Sequence, residues 1–391
     1  MQTVKSILAV SFLVNAAAGA SIFVVFRWVA DQDPPAESVQ LGLISALGSL
    51  SYLLACQLVS RLGPQLVGRR MLTCGLVVGI VSLLLLTVSR KLWATYFLWP
   101  AFVTSWSLLF PSLMGSLRYG RSGRNLRSVL FLFCVSWMSG LTFGAYFGSK
   151  LYGASAGRVG GSYVYLVNIG IHLICLLWLY LPEQKQKSVR IAPGPEEAEQ
   201  LDADLARVFM GMGWLGNILL MLCMVVVLNL FNKVATDLGV RPEVHGWLVV
   251  ALRGAGLATA GLMFCSVHWH QRWWSFLLAE GLAVVGLCVI GLTSDYWLFM
   301  LGFVLVGVMA GHNYYAGVYY SLSSVSAHDA IGQRARAAIN ESFFPVGALF
   351  GAGLGGFAGW YWVRMPYFLA AGVVLLIFVV QMNMLRKSRC A

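Results

Sequence analysis

The chain has 391 residues, of which 59% are hydrophobic and only 11% charged, against roughly 25% charged in soluble domains; a soluble globular protein is excluded. A formal net charge of +12 suits nucleic acid only when it is clustered on a soluble domain, and none remains once the apolar stretches are set aside. No nucleic-acid partner is expected, and the excess positive charge reads as membrane topology.

A helix crosses a bilayer with about 20 mostly apolar residues, and twelve stretches are that long. The first six run over 4–30, 39–60, 70–89, 93–116, 127–149 and 162–181. The first carries Lys5 and the small residues Ala16, Ala17, Ala18, Gly19 and Ala20, like a signal-peptide cleavage region. Its apolar run resumes at Ser21 and continues to Ala30, so it is read as a transmembrane helix. The one long polar segment follows, with Glu183, Glu196, Glu197, Glu199, Asp202 and Asp204 beside Lys185, Lys187 and Arg190. Six more spans cover 207–232, 244–267, 273–292, 296–322, 335–360 and 365–385. The expected organisation is an N-terminal six-helix bundle over 1–181, a solvated linker over 182–206 and a C-terminal six-helix bundle over 207–391.

Lys and Arg collect on the cytoplasmic side of membrane proteins. With the N-terminus inside, 18 of the 27 fall on the inner side and 8 on the outer, and Arg253 lies within a span. Both termini and the linker are therefore expected in the cytoplasm. Seven of the eight cysteines (Cys56, Cys74, Cys134, Cys175, Cys223, Cys265 and Cys288) fall in apolar stretches, Cys390 is in the terminal tail, and no CxxC pair exists; they read as small apolar residues, not as disulfides.

The two halves repeat weakly. Gly140, Gly144 and Gly148 of the fifth span match Gly347, Gly351 and Gly355 of the eleventh at a constant offset (347 − 140 = 207), and Arg127 matches Arg334. Glycines four apart form a flat stripe that lets helices approach closely, and such stripes are expected where the halves slide or pivot.

These features resemble the major facilitator superfamily of secondary transporters, with six plus six helices, termini and linker on one side, and a basic loop after the second span. In that loop Ser60-Arg61-Leu62-Gly63 and then Gly68-Arg69-Arg70 stand where the family carries Gly, an Asp-Arg pair, then Gly-Arg-Arg or Gly-Arg-Lys, with Ser60 in place of the acidic residue. The resemblance implies an all-α membrane fold of twelve transmembrane helices in two pseudo-symmetric six-helix bundles, rocking around one site near the midplane. It also implies that Asn15 in the first span, and Asn217 and Asn229 in the seventh, lie on cavity-lining helices.

The chemistry concentrates in Gly311 to Gly356. Of fifteen carboxylates only Glu280 and Glu341 fall inside spans, and Arg253 is the one cation well within one. At about 1.5 Å per residue, Glu341 lies roughly 10 Å and His312 roughly 15 Å from the inner face, with Arg253 roughly 20 Å from it. An ionisable residue at such depth is a functional-site candidate. In the tenth span, His312, Tyr315 and Tyr319 share one face at helical spacing and Asn313 lies on its neighbour, an expected aromatic wall for an amphipathic solute. In the eleventh, Asn340 lies on the glycine stripe. Pro345 removes the donor for the Glu341 carbonyl.

Desolvation favours the neutral form of such a carboxylate and suits Glu341, with His312, to proton coupling. The alternative is a structural ion pair with Arg253, whose guanidinium would otherwise bind an anionic group on the solute. Glu280, on a helix peripheral in the resembling family, reads as an interfacial residue. Neither HExxH nor GxxxxGK[ST] occurs in the sequence, so neither an enzyme nor a cofactor is expected.

The reading is a proton-coupled secondary transporter of a small organic solute, acting as a monomer among the lipids of a bacterial cytoplasmic membrane. A lipid or amphipathic-drug translocator of the same fold is the second reading and a non-transporting sensor or scaffold the third, with Asn313, Tyr315, Tyr319, Asn340, Asn15, Asn217, Asn229 and Arg253 as the solute contacts of the first.

Overall fold

The computed structural model describes residues 4–32, 36–62, 68–89, 91–115, 123–154, 160–180, 203–324 and 330–390. Linker residues 182–202 lie outside them, as do 63–67 of the basic loop and, in their side chains, Arg127 and Arg334. Six helices form the first half: α1 (Val4–Ala30), α2 (Ser38–Leu62), α3 (Gly68–Val88), α4 (Leu92–Gly115), α5 (Gly123–Ala154) and α6 (Gly160–Tyr180). The second half begins with α7 (Ala203–Val225), which runs through a π-helical turn (Val226–Leu230) into a last piece (Phe231–Asp237). It continues with α8 (Pro242–Cys265), α9 (Trp273–Leu292), α10 (Tyr296–Ser323), α11 (Ala330–Tyr361) and α12 (Met365–Cys390). No strand occurs among the described residues.

Eleven of these helices are long and apolar enough to cross a membrane. The other, α4, has 24 residues, or about 36 Å at 1.5 Å each, and its Trp, Tyr, Ser and Pro content lowers its hydropathy. Large apolar side chains such as Leu85 and Val88 on α3, Leu177 on α6, Leu262 on α8 and Leu376 on α12 are exposed on the outside, a surface that suits lipid and not water. The chain is a multi-pass integral membrane protein. Helices α5 and α11 begin four and five residues before the expected spans, because hydropathy marks the stretch in hydrocarbon while the helix continues into its charged end.

The packing is pseudo-symmetric. In the first half α1 packs on α5 and α6, α4 on α2 and α3, and α3 on α6; in the second, α7 packs on α11 and α12, α10 on α8 and α9, and α9 on α12. The two most extensive pairings between the halves are α2 with α11 and α5 with α8, and these are one contact seen twice when α2 is exchanged for α8 and α5 for α11.

The glycine stripes lie inside the halves, not between them. A Cβ on Gly140 or Gly144 would strike the carbonyl oxygens of Phe12 and Ala16 on α1. One on Gly347 or Gly351 would strike those of Ile218 and Leu222 on α7. The expected sliding surface is therefore the fixed joint of each half, where backbones lie in contact.

Other residues bring the halves together at the face opposite the termini, called here the far face. A Cβ on Gly42 of α2 would stand 2.8 Å from the Cα of Gly356 on α11, and one on Gly246 of α8 would stand 2.9 Å from the Cβ of Ser149 on α5. Gly356 and Ser149 are again 207 residues apart.

Adding one methyl at a joint forces backbone apart, which costs about 1–3 kcal/mol. Gly144→Ala and Gly347→Ala are therefore expected to lower the thermal unfolding midpoint in detergent. Gly170→Ala on α6, where a new Cβ meets nothing within 4 Å, is expected to hold or raise it through helix propensity. A stable Gly144→Ala protein contradicts the joint.

Candidate functional site

A cavity of about 220 Å³ lies between the halves, walled by α1, α2, α4 and α5 on one side and α7, α8, α10 and α11 on the other. Helix α11 continues through Pro345, which has no N–H to offer the Glu341 carbonyl four residues before it. The Glu341 side chain lines the cavity and is only 6% exposed. One carboxylate oxygen accepts a hydrogen bond from the Tyr52 hydroxyl of α2 at 3.0 Å, so the sole described partner of this carboxylate belongs to the other half.

A second bond crosses the cavity wall from the π-helical turn of α7. Insertions of this kind are frequent at functional sites, and this one carries Asn229, whose Nδ2 donates to the Ser45 hydroxyl of α2 at 2.9 Å. Asn15 of α1 also lines the cavity and donates to the Ser11 carbonyl of its own helix at 2.7 Å. Arg253 of α8 reaches the same space, half-buried. It makes no hydrogen bond or ion pair among the described residues, so Arg253 and Glu341 share one cavity unpaired.

The aromatic surface comes chiefly from the first half. Trp99 and Trp106 of α4 sit two turns apart on one face, edge to face with centroids 5.8 Å apart, and both line the cavity. Across the seam Trp137 of α5 meets Tyr314 of α10 at 4.5 Å.

Of the ten residues singled out from the sequence, the fold brings Asn15, Asn229, Arg253 and Glu341 to the cavity. The other six lie in the interior of the second half. His312 donates through Nδ1 to Asn313 Oδ1 at 3.0 Å and packs edge-on against Phe276 of α9 at 4.8 Å. Asn313 donates to the Gly216 carbonyl at 3.2 Å.

Asn340 accepts from Asn217 at 2.9 Å and from Ser321 at 3.2 Å, which ties α7, α10 and α11 together. Tyr315 and Tyr319 pack with Trp269 at 5.8 and 5.3 Å, and Tyr319 stacks on His270 at 4.7 Å. The expected wall on α10 is thus internal packing against α9 and the turn before it. Spacing groups residues on one face but does not say which neighbour that face meets, and every residue of α10 from Met309 to Leu322 is buried. Glu280 is likewise 1% exposed in the second half, not interfacial.

Tyr52, Ser45, Ser49, Trp99, Trp106 and Trp137 also line the cavity, and none of them stands out from sequence reasoning as a solute contact. The signal that could have found three of them is the run Ser45, Ser49, Tyr52 on one face of an apolar helix; the matching one on α4 is the Trp99/Trp106 pair.

At the far face a polar cluster joins α1 and α5 to the end of α7. Arg27 pairs with Asp31 at 3.0 Å and donates to the Val240 carbonyl at 3.1 Å. Asp31 also accepts from Tyr152 at 3.1 Å and from Thr236 at 3.0 Å. Towards the termini the described contacts across the seam are between side chains: Gln57 with Ser342 at 3.3 Å and Phe131 stacked on Phe264 at 4.7 Å.

No protein-family model matches the chain, and no curated protein sequence matches it. Solved structures do. The nucleoside transporter NupG superposes with a TM-score of 0.68 at 12% identity, covering 98% of this chain and 99% of that one. The human organic anion transporter MFSD10 (TETRAN) superposes with a TM-score of 0.65 at 16% identity, covering 97% and 100%. At these identities the likeness is one of fold.

A double-mutant cycle on thermal unfolding, built from Tyr52→Phe and Glu341→Gln, is expected to return a coupling of about 1–3 kcal/mol, as for a hydrogen bond to a charged group. The same cycle between Asn15→Ala and Glu341→Gln should return none. Additivity in the first cycle shows that the bond does not join the halves.

Proposed function

We propose that this chain, whose fold is that of the major facilitator transporters, is a secondary active transporter moving a small organic solute by alternating access, coupled to protons at Glu341. One observation carries the proposal: the cavity between the halves holds Arg253, unpaired among the described residues, together with a carboxylate whose described partner, Tyr52, belongs to the opposite half.

A hydrogen bond to an ionised carboxylate is roughly twice as strong as one between neutral groups. Protonation of Glu341 therefore weakens the tie between α2 and α11, and deprotonation restores it. Opening towards the termini or the far face means rotating two rigid halves about this seam, so the proton on Glu341 biases the rotation. Opening the far face further requires the Arg27–Asp31 cluster to release Thr236 and Val240. The buried polar knot of Asn217, Asn313, Asn340 and His312 has a different part, keeping α7, α10 and α11 together as one body.

The Lys and Arg bias supports termini in the cytoplasm and the far face outside; the proposal further takes the chain to act as a monomer in a bacterial cytoplasmic membrane. Nucleosides and organic anions, the solutes by which the two structural neighbours are named, are of the small kind that an aromatic cavity suits. The scaffold reading requires an occluded cavity with Arg253 locked to Glu341. The open volume and the absence of that pair among the described residues favour transport. No enzymatic step and no cofactor are assigned.

The test is reconstitution in vesicles loaded with a pH dye, with solute classes added in turn. Wild-type protein is expected to move protons with one class. Glu341→Gln should still exchange that solute down its gradient but fail to accumulate it when a pH gradient is imposed. Accumulation by Glu341→Gln equal to wild type removes the coupling role, and silence with every class removes transport.

A further inference from the structure

The charges that face the cavity constrain what it carries. Arg253 is the one Lys or Arg on its wall and Glu341 the one acidic residue, among the described residues. The titratable groups close to Glu341 on the helices around it are Tyr52 and Cys56 of α2 and Tyr314 of α10, and Arg253 of α8 lines the same cavity. Only the guanidinium carries a fixed charge. Glu341 already has a hydrogen-bond partner in Tyr52, whereas Arg253 has none among the described residues. Tyr52 is neutral and leaves the Glu341 charge in place, but Arg253 lacks any partner among the described residues and is the wholly open charged group of the cavity.

A net charge held in a low-dielectric space is costly, and it is avoided by pairing or by neutralisation. The empty cavity is balanced when Arg253 is positive and Glu341 negative. An anion on Arg253 breaks that balance, and one proton on Glu341 restores it. A cation would instead put a second positive charge in the cavity with one carboxylate to balance two. Around the charges, Trp99, Trp106, Trp137 and Tyr314 supply flat apolar surface in a cavity of about 220 Å³, which suits a small flat body.

We propose that the solute is a small organic monoanion with a flat aromatic or apolar body, seated with its anionic group on Arg253 and bound together with one proton on Glu341, so that loaded and empty cavities are both neutral and the carrier turns over without moving net charge. This rests on the transport reading above and names its substrate class and stoichiometry.

The experiment uses the full chain in detergent and probes of one shape and three charges: benzenesulfonate and benzoate as anions, benzenesulfonamide as the neutral form and benzylamine as the cation. Benzenesulfonate is ionised at every pH used, so any proton taken up belongs to the protein. Calorimetry at pH 8 in two buffers of different ionisation enthalpy counts that proton. The expected result is that an anion binds most tightly and takes up about one proton. Its affinity should then fall as pH rises, by up to about tenfold per pH unit.

Glu341→Gln is expected to bind the same anion with no proton uptake and no pH dependence. Arg253→Gln is expected to lose at least tenfold in affinity, and Arg253→Lys to recover part of it. In vesicles, benzenesulfonate uptake should respond to a pH gradient and not to an imposed membrane potential.

Tighter binding of the amide or the amine, binding of none of the four, anion binding without proton uptake, or uptake driven by voltage each overturns the proposal. If the Arg253 variants do not fold, proton counting on wild type and Glu341→Gln still decides it. Proton-coupled movement of the amide or amine would sink this inference while leaving the transport reading standing; absence of transport for every solute class ends both.

Discussion

Two helices lie backbone against backbone only where no Cβ stands between them, and each half of this chain is assembled on one such contact. Gly140, Gly144 and Gly148 let α5 close onto α1, and Gly347, Gly351 and Gly355 let α11 close onto α7. The joints repeat at one offset, and so does the closest approach between the halves, Gly42 with Gly356 answered by Gly246 with Ser149. Close approach inside each half leaves two rigid bodies. What lies between them is a pair of seams and the cavity they enclose.

The seams are built differently at their two ends. At the far face Gly42 and Gly356 bring backbone to backbone, Asp31, held by Arg27 and Tyr152 of its own half, accepts from Thr236 across the boundary, and Arg27 donates to the Val240 carbonyl. Along the cavity the halves are held by two hydrogen bonds, Tyr52 to Glu341 and Asn229 to Ser45. Rotation about such an interface exchanges a few polar contacts while the glycine joints stay closed. A weak polar seam between stiff bodies is the physical requirement for a carrier that opens alternately to either side.

Burial of a polar group in hydrocarbon is expensive, but that cost does not separate function from construction. Asn217, Asn313, Asn340 and His312 are as deep as Glu341, and their hydrogen bonds run to neighbours within the second half. Glu341 and Asn229 bond across the cavity to the first half, and Arg253 bonds to nothing described. Partnership across the seam marks Glu341 and Asn229 as the candidate site where depth alone does not.

The architecture was legible from the chain, because apolar length and glycine spacing are properties of each helix by itself. So were the two charges: a carboxylate and a guanidinium in apolar spans are visible wherever the helices go. Twelve spans in the order of a duplicated fold could not say that the glycine stripes were internal joints, nor that Trp99 and Trp106 of α4 line the cavity while Tyr315 and Tyr319 of α10 do not. Helical periodicity assigns residues to a common face, and Tyr315 and Tyr319 do pack against the same Trp269. Which neighbour each face meets is set by the packing of all the helices at once. The composition and spacing of the sequence thus determined a membrane-spanning helical duplicate with buried charge. Tertiary structure alone decided that Glu341 meets Tyr52 and leaves Arg253 open, because both outcomes depend on the relative rotation of helices from opposite halves, and the bonded pair stands 289 residues apart in the chain.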